Sequence, residues 1–152
     1  MKVFRLSKSK YSRDLSGQGA EKSGGRWNSK GTAMIYTSES RALCTAELAV
    51  RLPLGVIPLD YKLITLELPD RLISEMDVRT LPDDWNSLPH SDSTQKIGDH
   101  FVSAAKHLAL RVPSAVVPGD FNFLINPGHK NIGKVRIVSV EDYGFDNRLF
   151  VR

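Results

Sequence analysis

The sequence predicts an α+β fold with strands paired largely antiparallel. Three observations carry this. Two segments repeat apolar residues at clear helical spacing, Ala42–Val50 and Ile97–Leu108. The candidate elements run strand, loop, strand, helix, strand, helix and then several strands, without the regular β-α-β alternation of a doubly wound fold. Lys134–Val140 alternates apolar and polar residues, as a half-buried strand does.

Taken in order, Val3–Leu6 reads as a short strand. Residues 7–31 are rich in Ser, Gly, Lys and Asp and predict a long loop, a length that inside a compact domain is usually functional or disordered. Ala33–Thr37 is the second strand. Ser38 is placed to cap the first helix, with Glu39 at the positive end of its dipole. Ala42, Leu43, Ala46, Ala49 and Val50 define the apolar face, and Pro53 and Gly55 stop the helix. Tyr61–Leu68 is a strand closed by Pro69-Asp70. Residues 76–92 read as mostly irregular. Asp92 with Gln95 resembles a capping box, after which Ile97, Phe101, Ala104, Ala105 and Leu108 follow at helical spacing until Pro113. Ala115–Val117 and Phe121–Ile125 are short strands around Pro118-Gly119, and Lys134–Val140 is the last.

The 152 residues fit one domain, 1–152, able to bury roughly 70% of its unfolded surface. A 41% apolar and 25% charged composition is that of a soluble globular chain. Cys44 is the sole cysteine, so no internal disulfide forms and a reducing cytoplasm is expected. The start, MKVFRLSKSK, has no long apolar core of a signal peptide, and Pro, Arg or Asp break every apolar stretch short of a membrane span. The 21 cations exceed the 17 anions by four, without a basic run. This steers an anionic ligand inward but does not argue direct nucleic-acid binding.

Chemistry concentrates in three stretches. In GGRWNSKG, Gly24 and Gly25 loosen the backbone, and Arg26 offers a planar fork of donors to a phosphate or carboxylate; the same arginine could instead pair with a surface carboxylate. Trp27 and Tyr36 could stack on a ligand ring or belong to the core. Glu47 lies about 100° from the centre of the apolar helix face, at the rim, where it either points along a cleft or pairs with Arg51 one turn on, worth roughly 0.3–0.5 kcal/mol. In VPSAVVPGDFNFLINPGH, Ser114 stands at a strand entrance without the G-x-S-x-G surroundings of a hydrolase nucleophile, and Asn126 precedes Pro127, where an Asx turn would serve. The four histidines and Cys44 lack metal-ligand spacing, so no metal is expected.

Together these stretches resemble the RES domain family, toxins of RES–Xre toxin–antitoxin pairs, named for an Arg, a Glu and a Ser. Arg26 in GGRWN, Glu47 in CTAELAV and Ser114 in VPSAVVPG match them; IYTSES supplies Tyr36, NFLINPGH supplies Asn126, and FRLS and FDNRL also fit. The resemblance implies a fold like the ADP-ribosyltransferases, with mostly antiparallel split β-sheets flanked by helices. It implies no bound cofactor, NAD⁺ as substrate, cleavage of the nicotinamide–ribose bond with water or phosphate as acceptor, and a small Xre-like helix-turn-helix antitoxin that blocks the site in a complex where a homodimer is allowed. In that frame Arg26, helped by Gly25, contacts the phosphates, Tyr36 stacks on nicotinamide, Glu47 stabilises charge on the ribose, and Ser114 bonds the amide or a phosphate. Asn126 positions substrate or the backbone of the site. Arg5 contacts substrate or braces its strand. These groups are expected to line one dinucleotide-sized hollow. Transfer of ADP-ribose to a protein is the alternative activity, and a basic nucleic-acid-binding module the alternative without catalysis.

Overall fold

The computed structural model describes residues 1–151. Seven strands form one sheet: β1 (Lys2–Lys8), β2 (Ile35–Ser38), β3 (Tyr61–Glu67), β4 (Ile73–Glu75), β5 (Ala109–Pro113), β6 (Phe121–Ile125) and β7 (Arg136–Asp142). Their order is β4-β5-β6-β2-β1-β3-β7, antiparallel throughout except for the β4–β5 pair. The sheet has a seam. β1 pairs with β3 over its whole length, from Lys2↔Glu67 to Lys8↔Tyr61, but meets β2 at the single register pair Phe4↔Ser38. One wing therefore holds β7, β3 and β1, and the other β2, β6, β5 and β4. With helices α1 (Gln18–Ser23), α2 (Arg41–Ala49) and α3 (Asp92–Ala104), this is the split, mostly antiparallel α+β arrangement.

Alternating residues of β5 and β6 feed opposite faces of the sheet. Ala109, Phe123 and Ile125 join Val3, Ile64 and Leu66 in one core cluster. Leu110, Val112 and Leu124 join Trp27 and Met34 in the other, against which Ile97 and Phe101 of α3 pack. Burial on both faces makes the β5 sequence ALRVP almost continuously apolar. The sequence therefore reads it as a prolongation of α3 up to Pro113. In fact α3 ends at Ala104, where Ala105 turns left-handed at φ 52°, and β5 begins four residues later. Ala115–Val117 is a turn, not a strand: the amides of Val116 and Val117 both bond to the Ser114 hydroxyl. The predicted loop 7–31 contains α1, and the short β4 was not expected.

Both helix caps shift from their predicted positions. Ser40, not Ser38, caps α2, accepting from the Leu43 amide at 3.0 Å, while Glu39 turns back to accept from the Phe121 amide at 3.0 Å. Ser91, not Asp92, caps α3, and Gln95 is drawn away to another role described below. Because α2 is only nine residues long, its cap matters to the position of Glu47. Ser40→Ala is expected to lower stability by about 1 kcal/mol, read from the urea midpoint at unchanged slope; an unchanged midpoint would refute this cap.

Candidate active site

The arginine loop is shaped by α3. Gly24 ends α1 with φ 70°, and its amide bonds the Ala20 carbonyl at 2.7 Å. From there α3 holds the next five residues. The Thr94 hydroxyl donates to the Arg26 carbonyl at 2.6 Å, and Gln95 donates to the carbonyls of Gly25 and Asn28 at 3.0 and 3.1 Å. Asp99 accepts from the amide and hydroxyl of Ser29 at 2.9 and 2.6 Å. Contact is closest at Gly98, where an added Cβ would lie 1.6 Å from the Trp27 carbonyl oxygen. Trp27 itself is a core residue, 3% exposed, so its ring packs inside instead of stacking on a ligand.

The loop carries Tyr36 and Arg26 with it. The Tyr36 hydroxyl donates to Asn28 Oδ1 at 2.6 Å and accepts from the Trp27 amide at 3.0 Å. Burial raises this phenol above its usual range, opposed by the Trp27 amide, so it stays neutral. Gly25 serves this contact: a Cβ there would stand 2.7 Å from the Tyr36 hydroxyl. Its missing side chain thus makes room for the tyrosine. Arg26 is half-buried, and its Nη1 donates to the carbonyls of Trp85 and Ser87 at 2.9 and 3.0 Å. Burial pulls the guanidinium below its usual value, while the nearby Glu47, and after it Tyr36, push it back up. Among the described residues the guanidinium has no hydrogen bond or ion pair with either Glu47 or Tyr36.

Glu47 projects from the second turn of α2, and both of its partners come from the second wing. Its Oε1 accepts from the Ser114 hydroxyl at 2.8 Å and from Asn122 Nδ2 at 2.6 Å. Oε2 takes no hydrogen bond among the described residues. Ser114 is oriented in turn by the two amides of its own turn, and Asn122 by Ser38, whose hydroxyl donates to Oδ1 at 2.7 Å. The result is a carboxylate with one oxygen fixed by two donors and the other open. It does not pair with Arg51, whose Nε donates instead to the Glu47 backbone carbonyl at 3.1 Å.

Sequence reasoning missed Asn122. One asparagine within an otherwise apolar strand carries no motif; only the pairing Ser38↔Asn122 brings it under the helix. Asn126 lies elsewhere. It is buried, donates from Nδ2 to the Val102 carbonyl at 3.1 Å and accepts from the Gly128 amide at 2.9 Å, tying β6 to the end of α3. Its bonds are thus to backbone, in the Asx geometry its place before Pro127 suggests. Arg5 donates to the Asp14 carbonyl at 2.6 Å and so braces the loop that follows β1. Two surface hollows, one lined by Asp146, Arg148, Leu149 and Val151 and the other by Lys8, Tyr61 and the loop after α2, contain none of the four grouped residues. The expected dinucleotide-sized hollow is not among them; the segment carrying Trp85 and Ser87 borders Arg26 instead.

An arginine, a glutamate and a serine gathered on a split α+β sheet define a family. The chain belongs to the RES domain family, whose model matches residues 2–146. It is of the toxin class within that family. It is 35% identical to Toxin Res of Photorhabdus laumondii subsp. laumondii over 151 residues, 98% of this chain and 97% of the relative. It is 36% identical to the Prs ADP-ribosylating toxin of a Sphingobium species over 139 residues, 90% and 86% of the two chains. Its fold is similar to a chain in the crystal structure of the M. tuberculosis MbcT–MbcA toxin–antitoxin complex, with a TM-score of 0.73 at 20% identity, covering 98% of this chain and 86% of that one.

Proposed function

We propose that this protein is a toxin that cleaves the nicotinamide–ribose bond of NAD⁺ in the cytoplasm, and that a small helix-turn-helix antitoxin restrains it. The observation that carries this is the Glu47 carboxylate, held at Oε1 by Ser114 and Asn122 and free of hydrogen bonds at Oε2 among the described residues. As nicotinamide leaves with the bonding electron pair, positive charge develops on the ribose, as it does on a glycoside. A preorganised carboxylate favours that charge as it forms, which is the condition for acceleration. Water or phosphate then adds to the anomeric carbon and gives up a proton. Arg26 suits the phosphates of the dinucleotide. No helix among the described residues is long and apolar enough to cross a membrane.

The test is product analysis. Purified protein in phosphate-free buffer should release free nicotinamide and ADP-ribose from NAD⁺, and added phosphate should give a phosphorylated ribose product if phosphate is the acceptor. Absence of nicotinamide under both conditions would sink the proposal. The name of the Sphingobium relative favours a second reading, transfer of ADP-ribose to a protein. Label in the adenylate half would then remain on a macromolecule, and its recovery only in small products would eliminate transfer.

A further inference from the structure

We propose that Ser38 and Asn122 are positioning residues for Glu47, a two-step relay that fixes which carboxylate oxygen meets the substrate. The kinetic consequence rests on the NAD⁺ reading above.

Ser38 stands where three strands meet. It ends β2, it is the residue of β2 in register with β1 at the seam, opposite Phe4, and on its other side it pairs with Asn122 of β6. The sequence marks it as a helix cap, yet Ser40 takes that place. The Ser38 side chain is instead buried, at 5% exposure, and its hydroxyl donates to Asn122 Oδ1 at 2.7 Å. The next two residues extend the grip. Glu39 accepts from the Phe121 amide, and Ser40 caps α2. Residues 38–40 therefore clamp the start of β6 to the root of the helix that carries Glu47. That helix packs on β1 as well as β2, so the carboxylate reaches across the seam to its donors.

The amide of Asn122 makes the contact directional. It has one donor end and one acceptor end, whereas an ionised carboxylate only accepts. Nδ2 must therefore face Glu47, where it lies 2.6 Å from Oε1, and the Ser38 hydroxyl holds the amide that way round by donating to the opposite end. Turned over, the amide would set its oxygen against the carboxylate. Ser114 alone would leave Oε1 as a pivot, since one donor fixes a point and two fix a direction. With both donors in place Oε1 is engaged, and Oε2 is left as the oxygen without a hydrogen bond among the described residues. Orientation of this kind is what a charge-stabilising group needs at the reacting carbon.

Steady-state kinetics of nicotinamide release test the relay, and this readout is the same whether water, phosphate or a protein takes the ADP-ribose. Each variant is assayed well below its own melting temperature, so that loss of folded protein does not enter. Asn122→Ala should lower kcat about 10- to 100-fold while KM stays within about threefold of the wild type, the pattern of an interaction that counts only in the transition state. Ser38→Ala, the milder substitution, should lower kcat by roughly 3- to 10-fold, and Ser38→Thr, which keeps the hydroxyl, should recover most of it. Coupling separates a relay from two independent braces. In an Asn122→Ala background, Ser38→Ala should cost less than about twofold more, because the step it supports is already gone. Losses that multiply in the double variant, an unchanged kcat in Asn122→Ala, or a loss carried by KM overturns the relay. Wild-type protein that releases no nicotinamide defeats the NAD⁺ reading and this inference together, whereas wild-type release that survives both substitutions defeats the relay alone.

Discussion

Glu47→Gln should reduce nicotinamide release by at least about 100-fold while leaving the melting temperature within a degree or two of the wild type. The first part follows from charge. Loss of one preorganised electrostatic group from a water-poor site typically costs 100- to 1,000-fold in turnover. The second follows from geometry. Glutamine has the same shape, and its amide oxygen can take the Oε1 position, still accepting from Ser114 and Asn122. Its amide nitrogen then occupies the open Oε2 position, with no buried group left unpaired. The variant thus separates chemistry from folding. Turnover within a few-fold of the wild type would rule out the carboxylate as the stabilising charge. A collapse in melting temperature would show that Glu47 acts first as a structural tie between the wings.

The second large effect is expected far from any reacting atom. Gly98→Ala should destabilise the protein by roughly 2–4 kcal/mol, although alanine is the better helix former by about 1 kcal/mol. The new Cβ would be 1.6 Å from the carbonyl oxygen of Trp27 and 2.7 Å from its carbonyl carbon, and backbone atoms cannot rotate aside as a side chain can. Helix and loop must separate. Overpacking costs about 1–3 kcal/mol, and each lost bond from Thr94, Gln95 or Asp99 about 1 kcal/mol more. A fall in Tm of about 5–10 °C is expected for a chain of this size. Because the same contacts place Arg26 and Tyr36, activity at low temperature should fall as well. An unchanged or raised Tm would show that α3 is not seated on the loop as described.

The two variants also mark what the sequence could and could not disclose. Glu47 was legible because helical periodicity fixes its angle from the apolar face, and because the CTAELAV motif resembles the family's. Its holders were legible unequally. Ser114 belongs to a motif, whereas Asn122 depends on which strand lies beside β2, a matter of sheet order that no local pattern encodes. The error at β5 has a similar origin. Ala109–Pro113 is buried on both faces and loses its alternation, so its apolar run merged with that of α3; the break falls at Ala105, an alanine in a left-handed conformation that composition does not flag. Gln95 has the spacing from Asp92 of a capping residue, yet its partners are 70 and 67 residues away. Local rules identify local bonds, and the arginine loop is held by distant ones.

The tie between Glu47 and its donors also sets a timetable for synthesis. Ser114 and Asn122 follow the glutamate by 67 and 75 residues. A ribosome adding roughly 5–20 residues each second leaves the glutamate without its holders for several seconds. On the proposed role of Glu47, a nascent chain therefore stays inert until both donors have emerged, and a fragment that stops short of Asn122 is unarmed.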